Sequence, residues 1–311
     1  MHDFGRQPLR SEIVLMQSAT RTRPKALAYV ALTKPRIIEL LLITTVPTMV
    51  VAEGGLPSVW LMVATVIGGT LSAGGANAIN MYVDRDIDQL MKRTQGRPLV
   101  TGEVSPREAL IFAIGIEVAS FVWLWTLVNL LSSLLALAAC LFYVFVYTLW
   151  LKRRTTQNIV IGGAAGAAPV LIGWAAVTNQ VSWSAVVLFA VIFFWTPPHF
   201  WALAIKYRHD YQAASVPMLP AVASLRRTSL EMVVYTVITV ACATVFGLVA
   251  GMGWIYQATS AVLGLAFVGL TVRLHRSRNA DGAMRVFSFS ITYLTVLFLV
   301  MVVDVLVAHG V

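Results

Sequence analysis

The chain has 311 residues, of which 58% are hydrophobic and only 12% charged. Soluble domains carry about 25% charged residues, so this balance excludes a soluble globular protein and implies an all-α polytopic membrane bundle. The two cysteines, Cys140 and Cys242, lie inside apolar runs and give neither a disulfide framework nor a thiolate metal site, and the net charge of +9 is distributed as membrane topology requires rather than as a nucleic-acid face.

Residues 1–30 form a polar, basic tail (Arg6, Arg10, Arg21, Arg23, Lys25) without the apolar core of a signal peptide, and a cytoplasmic tail is expected there. Residues 31–311 then form the transmembrane domain. Nine apolar segments are predicted: 36–53, 59–82, 108–127, 133–151, 159–178, 183–203, 231–252, 255–273 and 286–307. Each is about long enough to cross a hydrocarbon layer of ~30 Å. The connections near 53–58, 129–132, 178–182 and 253–257 carry no Lys or Arg. All 23 basic residues fall in the tail through Arg36 and in the alternate connections 83–107, 152–157, 204–230 and 273–285. Positive charge stays in the cytoplasm, so the amino terminus is expected inside and the carboxyl terminus outside. Topology alone accounts for more than half of these bases. The two long inside loops, 83–107 and 204–230, are where function is expected.

The first long loop opens on N-I-N-M-Y-V-D-R-D-I-D, in which Asn80, Asp84 and Asp88 recur every four residues. That step leaves neighbours ~40° apart around a helix and ~6 Å apart along it, so the three share one face while Asp86 points away. Two carboxylates and an amide are hard oxygen ligands suited to Mg²⁺. Lys92, Arg93 and Arg97 follow and suit phosphate oxygens. The bland alternative is a solvated helix end whose charges pair with one another. The second long loop opens on W-T-P-P-H-F-W-A-L-A-I-K-Y-R-H-D-Y, residues 195–211, with His199, Lys206 and Asp210. His199 and Lys206 lie two turns apart on one face, and Pro197–Pro198 are expected to break or kink the helix. Asp210 opposite the first cluster would complete a mouth that binds a metal-bound diphosphate. Glu117 and Asp304 lie in apolar runs without an evident partner, and Asn158 reads as a helix cap. The small-residue run 162–168 suits close helix packing, with room for a flat substrate.

Five stretches in order resemble the haem-farnesylating branch of the UbiA superfamily of intramembrane prenyltransferases: L-T-K-P-R-I (32–37), D-R-D-I-D-x-x-M-x-R-T-x-x-R-P-L (84–99), Y-T-x-x-L-K-R-x-T-x-x-N-I-x-I-G-G-x-A-G-A (147–167), W-T-P-P-H-F-W-A-L-A-I (195–205) and D-Y-x-x-A-x-V-P-M-L-P (210–220). The resemblance covers nearly all of residues 30–300. It implies transfer of a farnesyl group from farnesyl diphosphate to a vinyl carbon of haem b, water completing the hydroxyethyl farnesyl substituent of haem O for terminal oxidase assembly. It implies Mg²⁺ held by Asn80, Asp84, Asp88 and Asp210, with Asp84, Asp88, Lys206 and Asp210 catalytic. Lys34, Arg36, Asn80, Lys92, Arg93, Arg97, Lys152 and His199 would contact substrates, His199 either ligating haem iron, orienting the acceptor or merely capping a helix end. A haem A synthase taking the product is an implied partner. Asp210 is the one acid between 199 and 211, which argues against a second metal held wholly by protein. A prenyltransferase with a phenolic or quinone-precursor acceptor and a transporter remain as alternatives; a transporter would place its acids near the midplane.

Overall fold

The computed structural model describes residues 23–277 and 279–310, with backbone alone for 36–42 and 309. Residues 1–22 of the expected tail therefore lie outside the described residues. The described chain is helical. A short helix α1 (Lys25–Leu32) precedes α2 (Pro35–Glu53), α3 (Val59–Asp88), α4 (Pro106–Leu127), α5 (Leu130–Leu151), α6 (Asn158–Thr178) and α7 (Trp183–Lys206). Two short helices, α8 (Arg208–Ala213) and α9 (Leu219–Val222), lead into α10 (Leu225–Val249), α11 (Trp254–Ser277) and α12 (Ala283–His309). Eight of the long helices are apolar enough to cross a bilayer, and α2 contributes the shorter apolar stretch Ile43–Glu53.

The helix starts follow from local chemistry. Ser58, Asn129, Ser182 and Ser224 each accept a backbone N–H of the first turn, and Ser105 forms a reciprocal capping box with Glu108 ahead of Pro106. Consecutive long helices are neighbours, and α12 packs against α2, so the bundle closes into a ring; α2 also meets α6, and α7 meets α12, across it. The outward faces keep large apolar side chains such as Ile111, Val118 and Trp125 exposed, as a lipid-facing surface requires.

Two local expectations change. Helix α3 runs six residues past the predicted segment end at 82, to Asp88. Hydropathy marks where the apolar layer ends, not where the helix ends, so the acidic residues sit on one continuous helix. Helix α7 runs unbroken through Pro197 and Pro198, both buried, to Lys206. The expected break does not occur: without water to satisfy freed carbonyls, a membrane helix keeps its remaining bonds and packs the prolines against neighbours.

Candidate active site

Asn80, Asp84 and Asp88 share one buried face of α3. Asn80, Asp84 and Asp88 are 3%, 0% and 1% exposed, whereas the Asp86 side chain is 61% exposed. Around them four cations converge. Lys152 pairs with Asp84 Oδ2, Arg97 Nη1 lies 2.5 Å from Asp88 Oδ2, and Lys34 Nζ donates to Asn80 Oδ1 at 2.8 Å. Arg153 makes a two-point pair with Asp86, both contacts 2.7 Å, and its Nη2 lies 3.7 Å from Asp84 Oδ1. Asn80 Nδ2 in turn donates to Asp84 Oδ2 at 2.8 Å and to Thr148 Oγ1 at 3.2 Å.

Each cation is placed by backbone. Lys34 stands between α1 and α2 in the left-handed region (φ 53°), a costly conformation for a side-chain-bearing residue, ahead of Pro35. Desolvation and then the charges of Arg97 and Lys152 push its amine well below the usual lysine range. The last ten residues of α5, Phe142–Leu151, are wound with i→i+5 bonds, which brings Tyr143, Thr148 and Lys152 into line. Asn158 Nδ2 holds the Lys152 carbonyl at 3.2 Å. Thr94 Oγ1 donates to the Asp88 carbonyl at 2.8 Å, folding the loop back so that Arg97 returns to Asp88.

Asp84 Oδ1 and Asp88 Oδ1 are buried without a hydrogen bond. Leaving a buried carboxylate oxygen unsatisfied is costly, and two hard oxygens so placed fit a Mg²⁺ ion. No third carboxylate, histidine or cysteine joins them among the described residues. Beyond Tyr143 and Asn77 opens an apolar cavity, lined chiefly by Gly69, Ser72, Ala73, Ala76, Ala136, Ala139, Gly166 and Ile172.

The profile of the UbiA prenyltransferase family matches residues 41–301. The chain belongs to that family. Among its UbiA relatives, the protoheme IX farnesyltransferase of Clavibacter michiganensis subsp. michiganensis is 56% identical over 283 residues, covering 90% of this chain and 92% of the relative. That of Mycolicibacterium paratuberculosis is 50% identical over 299 residues, covering 95% and 96%. A UbiA homolog from Archaeoglobus fulgidus, solved bound to GPP and Mg²⁺, shares the fold with a TM-score of 0.62 at 20% identity, covering 88% of this chain and 99% of that one.

The other expected site residues are more dispersed. Asp210 accepts the Arg93 backbone N–H at 3.3 Å, fastening the two long loops together, and stands apart from Asp84 and Asp88. Arg93 and Lys206 both stack on Tyr207, at 5.7 and 5.6 Å from the ring centre. Lys92 and Lys206 are exposed at the rim. The Arg36 side chain lies outside the described residues. His199 packs against α12. Arg153, Thr148, Tyr143 and Thr94 escaped the sequence reading; Arg153 could have been taken from its place beside Lys152, whereas the wide turn that aligns the others has no sequence signal.

The two isolated acids prove to have partners. Glu117 Oε1 accepts from Ser72 Oγ at 3.0 Å, and its carboxyl lies against Gly75, where a Cβ would meet Oε2 at 2.9 Å. Asp304 accepts from the backbone N–H groups of Gly253 (2.5 Å) and Tyr256 (3.1 Å), closing the start of α11 from α12. Asn158 is the first residue of α6 rather than its cap. In the small-residue run Gly163 faces Thr196 of α7, the close packing expected, and Gly166 lines the cavity.

Proposed function

We propose that the chain transfers the farnesyl group of farnesyl diphosphate to a vinyl group of haem b, giving haem O. The observation that carries this reading is a buried acid pair with two unsatisfied oxygens, ringed by four cations, at the head of an apolar cavity. Lys34 is bonded only to an amide, and Asp84 and Asp88 each keep an oxygen that no donor reaches; the arrangement suits an anion that brings its own divalent ion. The 50–56% identity to proteins named protoheme IX farnesyltransferase supports haem as acceptor.

Asp84 and Asp88, with Asn80 beside them, would hold Mg²⁺; bound there, it neutralises charge on the departing diphosphate. Arg97, Lys152, Arg153 and Lys34 exchange their carboxylate and amide partners for diphosphate oxygens, which favours the state in which the C1–O bond has broken. The cavity holds the isoprenoid chain and excludes water from the allylic cation. The terminal vinyl carbon of haem bonds to C1, the positive charge moves to the carbon next to the porphyrin ring, and water adds there with loss of a proton. Lys92, Arg93 and Lys206 form the basic approach for the donor's anionic head, and Asp210 keeps the two loops together around it.

The nine long helices each span the cytoplasmic membrane, with the amino terminus and the site on the cytoplasmic side and the carboxyl terminus outside. Residues 31–311 form the transferase domain, which α1 (Lys25–Leu32) joins by packing Ala28 and Leu32 into its core. Haem O leaves into the bilayer, where a haem A synthase consumes it. The decisive experiment is turnover by the purified chain in detergent with haem b, farnesyl diphosphate and Mg²⁺, read as haem O by chromatography and mass. Product must vanish with chelator and with Asp84→Ala. Diphosphate release with a phenolic acceptor and none with haem would overturn the acceptor and keep the prenyl transfer.

A further inference from the structure

His199 sits in α7 with every edge but one occupied. One ring face stacks on Trp195 (centroids 4.2 Å apart, planes 17°) and the other on Phe287 of α12 (4.7 Å, 28°). Its Nδ1 lies 2.7 Å from Ser290 Oγ. That hydroxyl has one proton, and it is already directed at the Phe287 carbonyl, 2.6 Å away. A carbonyl only accepts, so Ser290 Oγ receives its second bond from the imidazole and the ring proton resides on Nδ1. Nε2 therefore keeps its lone pair, and among the described residues no protein atom is hydrogen-bonded to it. The residue is mostly buried and keeps part of its surface open. With both faces stacked and the Nδ1 edge taken, the accessible edge is the one that carries Nε2.

This is how proteins prepare a histidine for a metal: the far nitrogen is tied to a hydroxyl, a carbonyl or a carboxylate, which fixes tautomer and ring plane. The depth is suitable. Helices α3 and α7 cross the bundle in the same direction, and their charged ends are tied by the Arg93–Asp210 contact of 3.3 Å. Along the axis His199 lies ~10 Å inside Lys206 and Asn80 ~12 Å inside Asp88. The imidazole thus lies at about the depth of Asn80.

We infer that His199 is an axial ligand, through Nε2, to the iron of the porphyrin acceptor. The inference rests on the reading that the acceptor is a haem. Its role is to hold the flat acceptor at a fixed height, so that one vinyl edge faces the allylic carbon. Ser290 is a positioning residue that acts through His199.

The test is porphyrin binding to the full chain in detergent, without donor. Ferric haem b is followed by absorption and electron paramagnetic resonance, and iron-free protoporphyrin IX by tryptophan quenching. The native chain should give a nitrogen-ligated haem spectrum. His199→Ala should lose that spectrum and bind haem at least tenfold more weakly, while binding iron-free porphyrin within twofold of native. Added imidazole should restore the spectrum in His199→Gly. Ser290→Ala should weaken haem several-fold and leave the iron-free porphyrin unchanged. An identical haem spectrum in His199→Ala overturns the inference, even if turnover falls. Equal loss of both porphyrins also overturns it and makes His199 a packing residue. Farnesyl diphosphate binding with Mg²⁺, measured on the same preparation, separates the two levels. A native chain that binds the donor but no porphyrin fails the haem reading and this inference with it. One that binds both, without dependence on His199, fails the inference alone.

Discussion

Gly166 offers a direct test of the cavity as the isoprenoid site. It lines the cavity, and a Cβ built there meets nothing within 4 Å. It lies eight residues into α6 from Asn158, or ~12 Å beyond the level at which Asn158 supports Lys152. A leucine at this position places four carbons in the space that the far part of a farnesyl chain would fill, with no backbone displacement. Excluding one isoprene unit of five carbons forfeits up to about 4 kcal/mol, at about 0.8 kcal/mol per buried CH₂. If the chain bends aside and recovers half, the loss is about 2 kcal/mol. Gly166→Leu should therefore lower kcat/KM for farnesyl diphosphate by roughly 30-fold to 10³-fold, at 1.4 kcal/mol per tenfold. Geranyl diphosphate, one unit shorter, should change by less than about threefold. The assay compares the two donors under identical haem b and Mg²⁺, with a melting curve in detergent confirming the fold. Equal losses for both donors, or no loss for either, would refute the assignment of the cavity to the chain.

Further outcomes follow from the charged cluster and its supports. Asp84→Asn and Asp88→Asn keep the shape of the face and should cost at least about 10³-fold in turnover, read as haem O mass; residual activity above a tenth of native would remove either from the site. Asp86→Ala should be milder, about tenfold, because Asp86 acts through Arg153. Arg153→Ala should cost as much or more, and the double variant no more than Arg153→Ala; additive losses in that cycle would break the link. Gly75→Ala forces a methyl against Glu117 Oε2 at 2.9 Å and the Ala113 carbonyl at 3.1 Å, and should destabilise the bundle by about 1–3 kcal/mol in a detergent melt. An unchanged melting point would show that α3 and α4 can separate there freely.

Much of this molecule is legible in its residues, and the boundary of legibility has a physical cause. Bilayer thickness and charge asymmetry act on each segment locally, so the long helices stand within a few residues of where apolar runs place them. The acid face on α3 is equally local, since four-residue spacing on a helix needs no partner to be understood. What escaped depends on contacts far apart in the chain. Glu117 meets Ser72 across 45 residues, and Asp304 meets Gly253 across 51. The wide turn in α5 sets Thr148 beside Asn80 and Lys152 beside Asp84, contacts that span 68 residues. Pro197 and Pro198 misled for the opposite reason: their effect in water is local, but a bilayer removes the alternative to staying helical.

The buried acids of this chain show how a site can be told from a scaffold. Among the described residues Asp304 is answered by two backbone N–H groups and has no ion pair, so it closes a helix end. Among them too, Glu117 is answered by a hydroxyl, forms no ion pair, and keeps one oxygen without a hydrogen bond in a seam between two helices. An anion brought there would find nothing to hold it. Asp84 and Asp88 also keep an oxygen each without a hydrogen bond, but Lys152, Arg97 and Arg153 stand around them, with Lys34 one residue away through Asn80. Lys152, Arg97 and Arg153 match Asp84, Asp86 and Asp88 in charge, the desolvated Lys34 amine is a further donor bonded only to an amide, and the inner oxygens of Asp84 and Asp88 remain short of a cation small enough to reach them. A ligand that is itself an anion carrying a small hard cation would meet both the donors and the bare oxygens. The metal diphosphate of the proposed function fits that description, and the apolar cavity beyond Asn77 and Tyr143 fits an isoprenoid attached to it.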